Sequence, residues 1–224
     1  MAMNLLRWVV THLLSVGIVF GASQAARAGD YNGDFMVRLG ATVVHPDSSA
    51  DVFVGGTQIV GADADISTQV IPSATLTYFF SKNLAAELFC CFAKHEIDGE
   101  GVLQGLDLGD TWIFPPAVTL QYHFDTVSGF KPYLGVGFQY IAFFNEGATV
   151  FGDKVSIDDA IGFTLQAGVD VEVGRGLYLN ADVKKTFLDT EASFRGTNIT
   201  ADVDLDPWIF TVGVGYRFNL LSSN

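Results

Sequence analysis

The fold is decided by the stretch Trp208-Ile209-Phe210-Thr211-Val212-Gly213-Val214-Gly215-Tyr216-Arg217-Phe218. Its even-numbered residues are bulky and apolar, whereas most of the residues between them are small or polar. Because successive side chains of a strand point to opposite faces, this segment has one apolar face and one compact, polar face. Aromatic rings lie at both ends of the apolar face and aliphatic side chains in its middle, which is the arrangement of a strand that crosses a lipid bilayer.

The same alternation recurs along the chain and predicts an all-β fold, an eight-stranded antiparallel transmembrane β-barrel. The predicted strands are Asp34–Val44, Thr68–Phe80, Leu84–His95, Trp112–Phe124, Lys131–Phe144, Ala160–Val173, Leu177–Leu188 and Pro207–Phe218. Long and short connections alternate between them, and the short ones lie at residues 81–83, 125–130 and 174–176. Outer-membrane barrels have an even strand number, short periplasmic turns and long extracellular loops. The pattern therefore predicts a multi-pass barrel in the outer membrane of a Gram-negative cell.

A soluble barrel with its apolar faces turned inward is the alternative fold. The interior of an eight-stranded barrel is only just wide enough for side chains to fill. Trp208, Phe210, Tyr216 and Phe218 from one strand, with similar sets from seven others, would overfill that interior. The opposite face, with its glycines, fits it, provided that the inward charges pair or are hydrated. The transmembrane arrangement is therefore favoured.

The N-terminal residues 1–28 have the pattern of a cleaved secretory signal peptide. Arg7 precedes the apolar run Trp8–Phe20, and Ala26-Arg27-Ala28 offers small residues to signal peptidase. A transmembrane helix is the alternative, but the run is too short to cross a hydrocarbon core of about 30 Å. The barrel is then predicted over residues 29–218, followed by a short polar C-terminal extension at residues 219–224.

Composition narrows the classes of function. The formal net charge is −13, and it becomes −15 when Arg7 and Arg27 leave with the signal. Such an acidic chain is a poor partner for nucleic acid. Cys90 and Cys91 are adjacent, a spacing that suits neither an ordinary disulfide nor a metal site, and the sequence implies no cofactor.

Four segments, taken in order, resemble the OmpW family of small outer-membrane barrels, which includes the AlkL-type alkane importers. The segments are Gly33-Asp34-Phe35-Met36-Val37-Arg38, Pro115-Pro116, Phe130–Gly137, and Asp206-Pro207-Trp208 through Phe218. The resemblance covers essentially the whole predicted barrel. It implies passive passage of small hydrophobic molecules through a narrow conduit that opens at the cell surface and releases them sideways into the membrane.

The chain departs from the family pattern in two places. Family members usually end on the terminal Phe that the barrel-assembly machinery reads, whereas here residues 219–224 follow Phe218. Lys184 and Lys185 stand where some relatives have aromatic residues. Lys184 is predicted to point inward, which would make the lumen more polar at that level.

The inward-facing residues predict a lumen of two halves. The outer ends of the strands supply a hydrophobic lumen formed by Ile71, Phe89, Cys91, Ile141 and Phe143. The inner ends supply a lower polar plug formed by Arg38, Glu87, Gln121, His123, Asp170, Asn180, Asp182, Lys184 and Arg217. An apolar upper lumen above a charged plug would admit apolar solutes and block water and ions. Ordinary barrel packing with a salt-bridge network is the alternative interpretation.

Three prolines mark a candidate lateral exit. Proline has no N–H to donate to a β-ladder and is found in sheets mainly at edges or bulges. Pro72, Pro115 and Pro116 fall in the outer halves of the second and fourth predicted strands, on either side of the third. They predict a weakened seam there, and a bulge that adjusts curvature is the alternative.

Two other classes of function remain open at this point. A lipid-modifying outer-membrane enzyme needs a Ser–His pair with a carboxylate at the outer rim. His95 with Glu96 and Asp98 only approximates it, so the protein is predicted not to be an enzyme. A structural or receptor barrel would instead use its acidic loops, through cations bridging lipopolysaccharide. The predicted partners are outer-membrane lipids and lipopolysaccharide, small hydrophobic solutes and the barrel-assembly machinery.

Overall fold

The computed structural model describes residues 34–127, 129–150, 152–174 and 176–219. Its strands are β1 (Phe35–His45), β2 (Ser49–Val54), β3 (Thr57–Gln58), β4 (Ala62–Ile66), β5 (Gln69–Phe79), β6 (Leu84–Cys91), β7 (Ala93–Gly101), β8 (Asp107–Phe114), β9 (Ala117–His123), β10 (Phe130–Phe144), β11 (Ala148–Thr149), β12 (Gly152–Ile157), β13 (Ala160–Gly174), β14 (Leu177–Phe187), β15 (Asp189–Phe194), β16 (Ile199–Asp204) and β17 (Trp208–Phe218). Within these ranges, no helix is long and apolar enough to cross a membrane. The predicted signal peptide and residues 220–224 of the predicted extension lie outside the described residues.

Eight strands close into a barrel in the order β1-β5-β6-β9-β10-β13-β14-β17. The last strand pairs with the first along its whole length, from Trp208 opposite His45 to Phe218 opposite Phe35. Each strand pairs antiparallel with its neighbours in the barrel. The fold is therefore the predicted eight-stranded antiparallel barrel, and most strand ends lie within one residue of the predicted positions.

Side chains alternate between the lumen and the outer surface as the sequence predicts. In β17, Thr211 is buried while Val212 is 63 % exposed, and Trp208, Phe210 and Tyr216 also face outward. The outward band is apolar, and the lumen takes the small and polar residues, because only that face fits inside so narrow a barrel.

The third and fourth predicted strands are each interrupted, which corrects the sequence prediction. The third breaks at Phe92, between β6 and β7, and the fourth at Pro115-Pro116, between β8 and β9. The two breaks face each other, since Phe89 lies opposite Ala117 and Ala93 opposite Ile113. The prolines cannot donate to the ladder, so pairing stops on both strands at the same level.

The predicted long connections also form strands, which the sequence prediction missed. β4, β7 and β8 extend a sheet from the end of β10, and β11-β12-β15-β16-β2-β3 form a second sheet. Alternate apolar residues of the second sheet, including Val52, Val155 and Phe194, pack into a shared core. The barrel wall thus continues beyond its membrane band at this end, called the loop end below. The opposite end, with the short turns, is called the turn end.

Candidate functional site

The loop-end half of the lumen encloses an apolar cavity of about 360 Å³. Three of the predicted lumen residues, Cys91, Ile141 and Phe143, line it directly. The other two lie beside it: Phe89 packs with Cys91 at the base of the cavity, and Ile71 packs against the same residues. The structure thus places the five predicted apolar side chains in or beside the wall of the cavity, in two adjoining clusters that share Ile71.

The upper wall of the cavity comes from residues that sequence reasoning missed. The strands of the predicted connections contribute Val52, Val155, Phe194, Ile199 and Ala201 to the lining. The sequence does contain a short strand-like pattern here, since the apolar residues Ala50, Val52 and Val54 occupy every second position of β2. These residues lie in segments rich in acidic side chains, and that composition favoured a loop interpretation.

Below the cavity, hydroxyl and amide side chains form a layer across the lumen. Thr42 Oγ1 lies 2.6 Å from Ser73 Oγ and 2.8 Å from Thr211 Oγ1. On the opposite wall, Thr186 Oγ1 donates to Gln139 Oε1 over 2.7 Å. These polar groups satisfy one another, so the layer separates the apolar cavity from the charged groups beneath it.

The predicted polar plug is a network of buried ion pairs. Arg38 contacts Glu87 over 3.0 Å and Asp170 over 2.7 Å. Lys184 contacts Glu87 over 3.2 Å and also pairs with Asp182. All five side chains are buried, and a buried charge is stable only when it is paired and hydrogen-bonded.

Neutral side chains complete this network. The Gln166 amide donates to Glu87 over 2.9 Å and to Asp182 over 2.7 Å, and its oxygen accepts from Gln121 and Thr119. The Tyr133 hydroxyl donates to Asp182. Neither Gln166 nor Tyr133 was among the predicted plug residues, although both lie on the inward parity of their strands.

The remaining predicted plug residues lie around and below the ion pairs. Asn180 donates to Asp170 over 2.9 Å, and His123 contacts Gln121 and stacks against Tyr133. Arg217 lies at the turn end with its guanidinium over the Phe79 ring. The gap bordered by Arg38, Glu87 and Lys184 measures about 10 Å³, which is about the space that one water molecule requires.

The wall of the cavity contains the break in pairing described above. Cys91 and Pro115 line the cavity from either side of the break. The Pro115 and Pro116 carbonyls still accept hydrogen bonds from β10, from Gln139 Nε2 and from the Tyr140 N–H. The discontinuity therefore lies on the side of β6 and β7. Outside the barrel, Phe92 and Phe114 stack with ring centroids 4.8 Å apart.

The third proline borders a second discontinuity. Pro72 faces outward in β5, which pairs with β1 throughout this region but with β6 only from Ser73 opposite Cys91 onward. Further toward the loop end, contact resumes where the Ser67 N–H donates to the Glu96 carbonyl. Pairing around Phe92 is thus interrupted on both sides, and all three predicted seam residues lie beside these interruptions.

The structure does not assemble the approximate catalytic set considered from the sequence. His95 is buried and points into the lumen, whereas Glu96 and Asp98 are exposed on the opposite face of β7. Cys90 and Cys91 are both free, with Cys91 buried and Cys90 half-buried. Within the described ranges, no three His, Cys, Asp or Glu side chains are placed to hold a metal ion.

Acidic side chains face one another across the loop-end strands. Asp51 lies opposite Asp202, and Asp189 opposite Asp204. The hydrogen bond to Asp189 raises the pKa of Asp204 above its usual value. Like charges in directly opposed positions destabilise a sheet, so this end of the molecule keeps a strongly acidic surface at some cost in stability.

A closed antiparallel barrel with an apolar outer band and a polar lumen is the architecture of bacterial outer-membrane proteins. Residues 31–218 match the OmpW family, and the chain is a member of it. It is an outer-membrane, multi-pass β-barrel protein.

Named relatives and solved structures agree with this assignment. The chain is 36% identical over 165 residues to the "Uncharacterized outer-membrane protein y4mB" of Sinorhizobium fredii, covering 71% of each chain. It is 32% identical to outer membrane protein W of Escherichia coli, covering 93% of this chain and 95% of the relative. The crystal structure of OprG from Pseudomonas aeruginosa superposes with a TM-score of 0.77 at 31% identity, covering 84% of this chain and 97% of OprG. The AlkL structure in lipid bilayers superposes with a TM-score of 0.70 at 25% identity, covering 92% of this chain and all of AlkL.

Proposed function

We propose that the barrel provides a passive route for small hydrophobic molecules from the cell surface into the outer membrane or the periplasm. The observation that carries the proposal is the cavity of about 360 Å³, whose lining includes no Asp, Glu, Lys or Arg among the described residues. An apolar solute gains free energy when its surface leaves water for such a site. An ion would lose its hydration there without finding an opposite charge.

The buried network supports a further part of the proposal, which is that the barrel does not let water and ions pass. Thr42 bonds to Thr211 in the upper layer, and Arg38 bonds to Thr77 and Asp170 in the plug beneath it. The gap at Arg38 measures only about 10 Å³, about the space of one water molecule. A solute that enters the cavity therefore has the polar layer and then the charged groups below it, and a discontinuous wall beside it.

The proposed exit is lateral, through the wall between Cys91 and Pro115. Both residues border the cavity, and the strands that carry them form no register pairs at this level. A solute would need to displace side chains there but break few backbone hydrogen bonds. The stacked Phe92 and Phe114 rings cover the outer side of this wall, so we propose that they separate to let the solute reach the lipid.

The proposed route is non-enzymatic, and its partners follow from the surfaces of the barrel. Lipids of the outer membrane would contact the apolar band, and lipopolysaccharide would surround the acidic loop end. The barrel-assembly machinery would read the last strand at Phe218 during insertion. Each of these three proposed interactions can be tested by a separate binding measurement.

The experiment compares two isoleucines at nearly the same height of the barrel. Ile141 is 4% exposed and lines the cavity, whereas Ile161 is 70% exposed on the lipid face of the neighbouring strand. Ile141→Trp should narrow the cavity, because a bulky indole replaces a smaller side chain of its lining, and Ile161→Trp should leave the cavity unchanged. Initial rates of labelled naphthalene uptake are measured in cells that express the parent, either variant or no barrel. Heat-modifiable gel migration confirms that each variant is folded.

We expect Ile141→Trp to reduce the barrel-dependent uptake several-fold and Ile161→Trp to leave it unchanged. Equal uptake by cells with and without the parent barrel would overturn the proposal in favour of a structural or receptor role. Equal uptake by the parent and a folded Ile141→Trp barrel would show that solutes do not travel through this cavity.

A further inference from the structure

His95 places one unsatisfied polar atom in the otherwise apolar wall of the cavity. Its side chain is 3% exposed and lines the cavity. Nε2 has no hydrogen-bond partner, and no other residue of the described lining leaves a buried side-chain nitrogen or oxygen unpaired. A buried unpaired polar atom is unfavourable and rare in folded proteins, so its position beside a cavity indicates a role in binding.

The hydrogen bond on the other ring nitrogen determines what Nε2 offers. Nδ1 lies 2.6 Å from the Ser67 carbonyl oxygen. Because a carbonyl oxygen only accepts, Nδ1 must carry the hydrogen. In a neutral imidazole the second nitrogen is then an acceptor. Nε2 therefore presents a lone pair and no proton.

We expect the imidazole of His95 to be neutral at physiological pH. Lys94 and Glu96, its neighbours along β7, are exposed charged residues, which places His95 beyond the hydrocarbon of the membrane. Burial lowers the pKa of His95, against the raising effect of the bond to the Ser67 carbonyl. The imidazole therefore remains an acceptor rather than becoming a cation.

Ser67 holds the imidazole in place. Its N–H donates to the Glu96 carbonyl over 3.0 Å, and its Oγ accepts from the Glu96 N–H over 2.8 Å. These two bonds fasten Ser67 to the strand that carries His95. The acceptor is thus preorganised, which reduces the entropy that a ligand loses on binding.

The surroundings of His95 restrict the ligand further. Thr111 lies directly opposite in β8 and also lines the cavity. Its hydroxyl donates to the Trp112 carbonyl over 3.3 Å, so it too offers its oxygen as an acceptor. The adjoining wall is aliphatic, with Ile66, Ile97 and Ile113. A matching ligand is apolar, uncharged and carries a hydrogen-bond donor.

We propose that the cavity selects neutral apolar molecules that bear a hydroxyl group, such as phenols and alcohols, through an O–H bond donated to Nε2 of His95. This inference builds on the proposed function, because it names the class of molecule that the conduit prefers. A hydrocarbon of the same shape leaves the acceptor unpaired. An ether of similar size places an oxygen lone pair against it. A carboxylate anion adds a charge for which the described part of the lining offers no cation.

The experiment measures binding to the intact barrel in lipid nanodiscs by equilibrium dialysis. The probes are 2-naphthol, which has the donor, and 2-methoxynaphthalene, which has the oxygen but no donor. Nanodiscs without protein correct for partition into lipid. We expect the parent barrel to bind 2-naphthol roughly tenfold more tightly than the ether, as one hydrogen bond worth about 1.4 kcal/mol produces.

His95→Phe is the test variant, since its ring keeps the planar shape of the imidazole but has no nitrogen or oxygen that can accept a hydrogen bond. We expect the ratio of the two dissociation constants to fall close to one in this variant. His45→Phe is the matched control, because His45 is an exposed histidine outside the cavity lining, and its ratio should equal that of the parent.

A ratio near one in the parent barrel overturns the proposal without requiring any variant to fold. An unchanged ratio in folded His95→Phe overturns the role of His95. Both results leave the proposed route intact if the parent still takes up naphthalene. Loss of barrel-dependent naphthalene uptake would instead contradict the proposed function itself.

Discussion

Replacing Lys184 by Met should strongly destabilise the barrel, because it removes one cation from the buried network. Lys184 is 2% exposed and lies near Glu87 and Asp182. At an effective dielectric constant of about 20, one pair of unit charges 3.2 Å apart attracts by about 5 kcal/mol. Met keeps most of the apolar volume beside Phe89, over whose ring the ammonium lies, so packing changes little.

The remaining partners reduce this loss. Glu87 keeps Arg38 and Gln166, and Asp182 keeps the Tyr133 hydroxyl and Gln166. Breaking a buried ion pair costs about 3–5 kcal/mol. We therefore expect Lys184→Met to lower the free energy of unfolding by about 3 kcal/mol, at the low end of that range.

The measurement is urea unfolding of the barrel in phospholipid vesicles, followed by tryptophan fluorescence and extrapolated to zero denaturant. Lys94→Met is the matched control, since Lys94 is an exposed lysine that pairs with Asp110 over 2.8 Å. Such a pair contributes about 0–1 kcal/mol. Equal losses for the two lysines would refute the argument.

A double-mutant cycle with Glu87→Gln tests whether the charges act together. Arg38 still has two contacts with Asp170 when Glu87 is neutral. We expect the double variant to be at least about 1 kcal/mol more stable than the sum of the two single effects, as coupled neighbours are. Additive effects would mean that Lys184 and Glu87 are not energetically paired.

Two further substitutions test the seam and the lipid face. The double variant Pro115→Val and Pro116→Val restores two N–H donors to the interrupted strand. We expect this variant to resist heat at least as well as the parent and to take up naphthalene more slowly. Unchanged uptake in the folded variant would mean that these prolines only adjust the curvature of the barrel. Leu165→Arg places a charge in the middle of the lipid face and should cost about 2–4 kcal/mol, whereas Val173→Arg, near the end of the same strand, should cost about 0–1 kcal/mol. Equal costs in urea titrations would show that the membrane band is placed wrongly.

Gln166, the lumen-facing neighbour of Leu165, does not suit the lipid-face experiment as a control. Its amide joins Glu87 to Asp182 and accepts from Thr119. Arg at that position would disrupt the network, so Val173 is the more informative comparison.

The number of barrel strands and the direction in which their side chains face could be predicted from the sequence, because both depend on local periodicity. A strand turns every second side chain the same way, so the parity of Thr211 and Val212 separates lumen from lipid without any knowledge of the neighbouring strands. The alternation of long and short connections then places adjacent strands antiparallel. The membrane makes this alternation easier to recognise, because the lipid-facing side of each strand must be apolar.

Local periodicity was weaker where the barrel leaves the membrane. β2 and β16 are short, and the residues that alternate with their buried positions include the exposed acids Asp51, Asp202 and Asp204, so the pattern resembles that of a polar loop. The break at Phe92 was also hidden, since nothing in the local sequence interrupts that strand. It arises from Pro115 and Pro116 on the neighbouring strand, a cause that lies more than twenty residues away.

By itself, the sequence determined that Arg38, Glu87, Asp170 and Lys184 face the lumen, because facing follows from each strand's own parity. Only the tertiary structure decided that Arg38 meets Glu87 and Asp170 together, since these partners come from three different strands and their heights depend on the stagger at which the barrel closes. The same holds for His95. Its parity pointed inward, but the tautomer that makes Nε2 an acceptor depends on a carbonyl 28 residues away, which closure of the barrel wall brings within hydrogen-bonding distance.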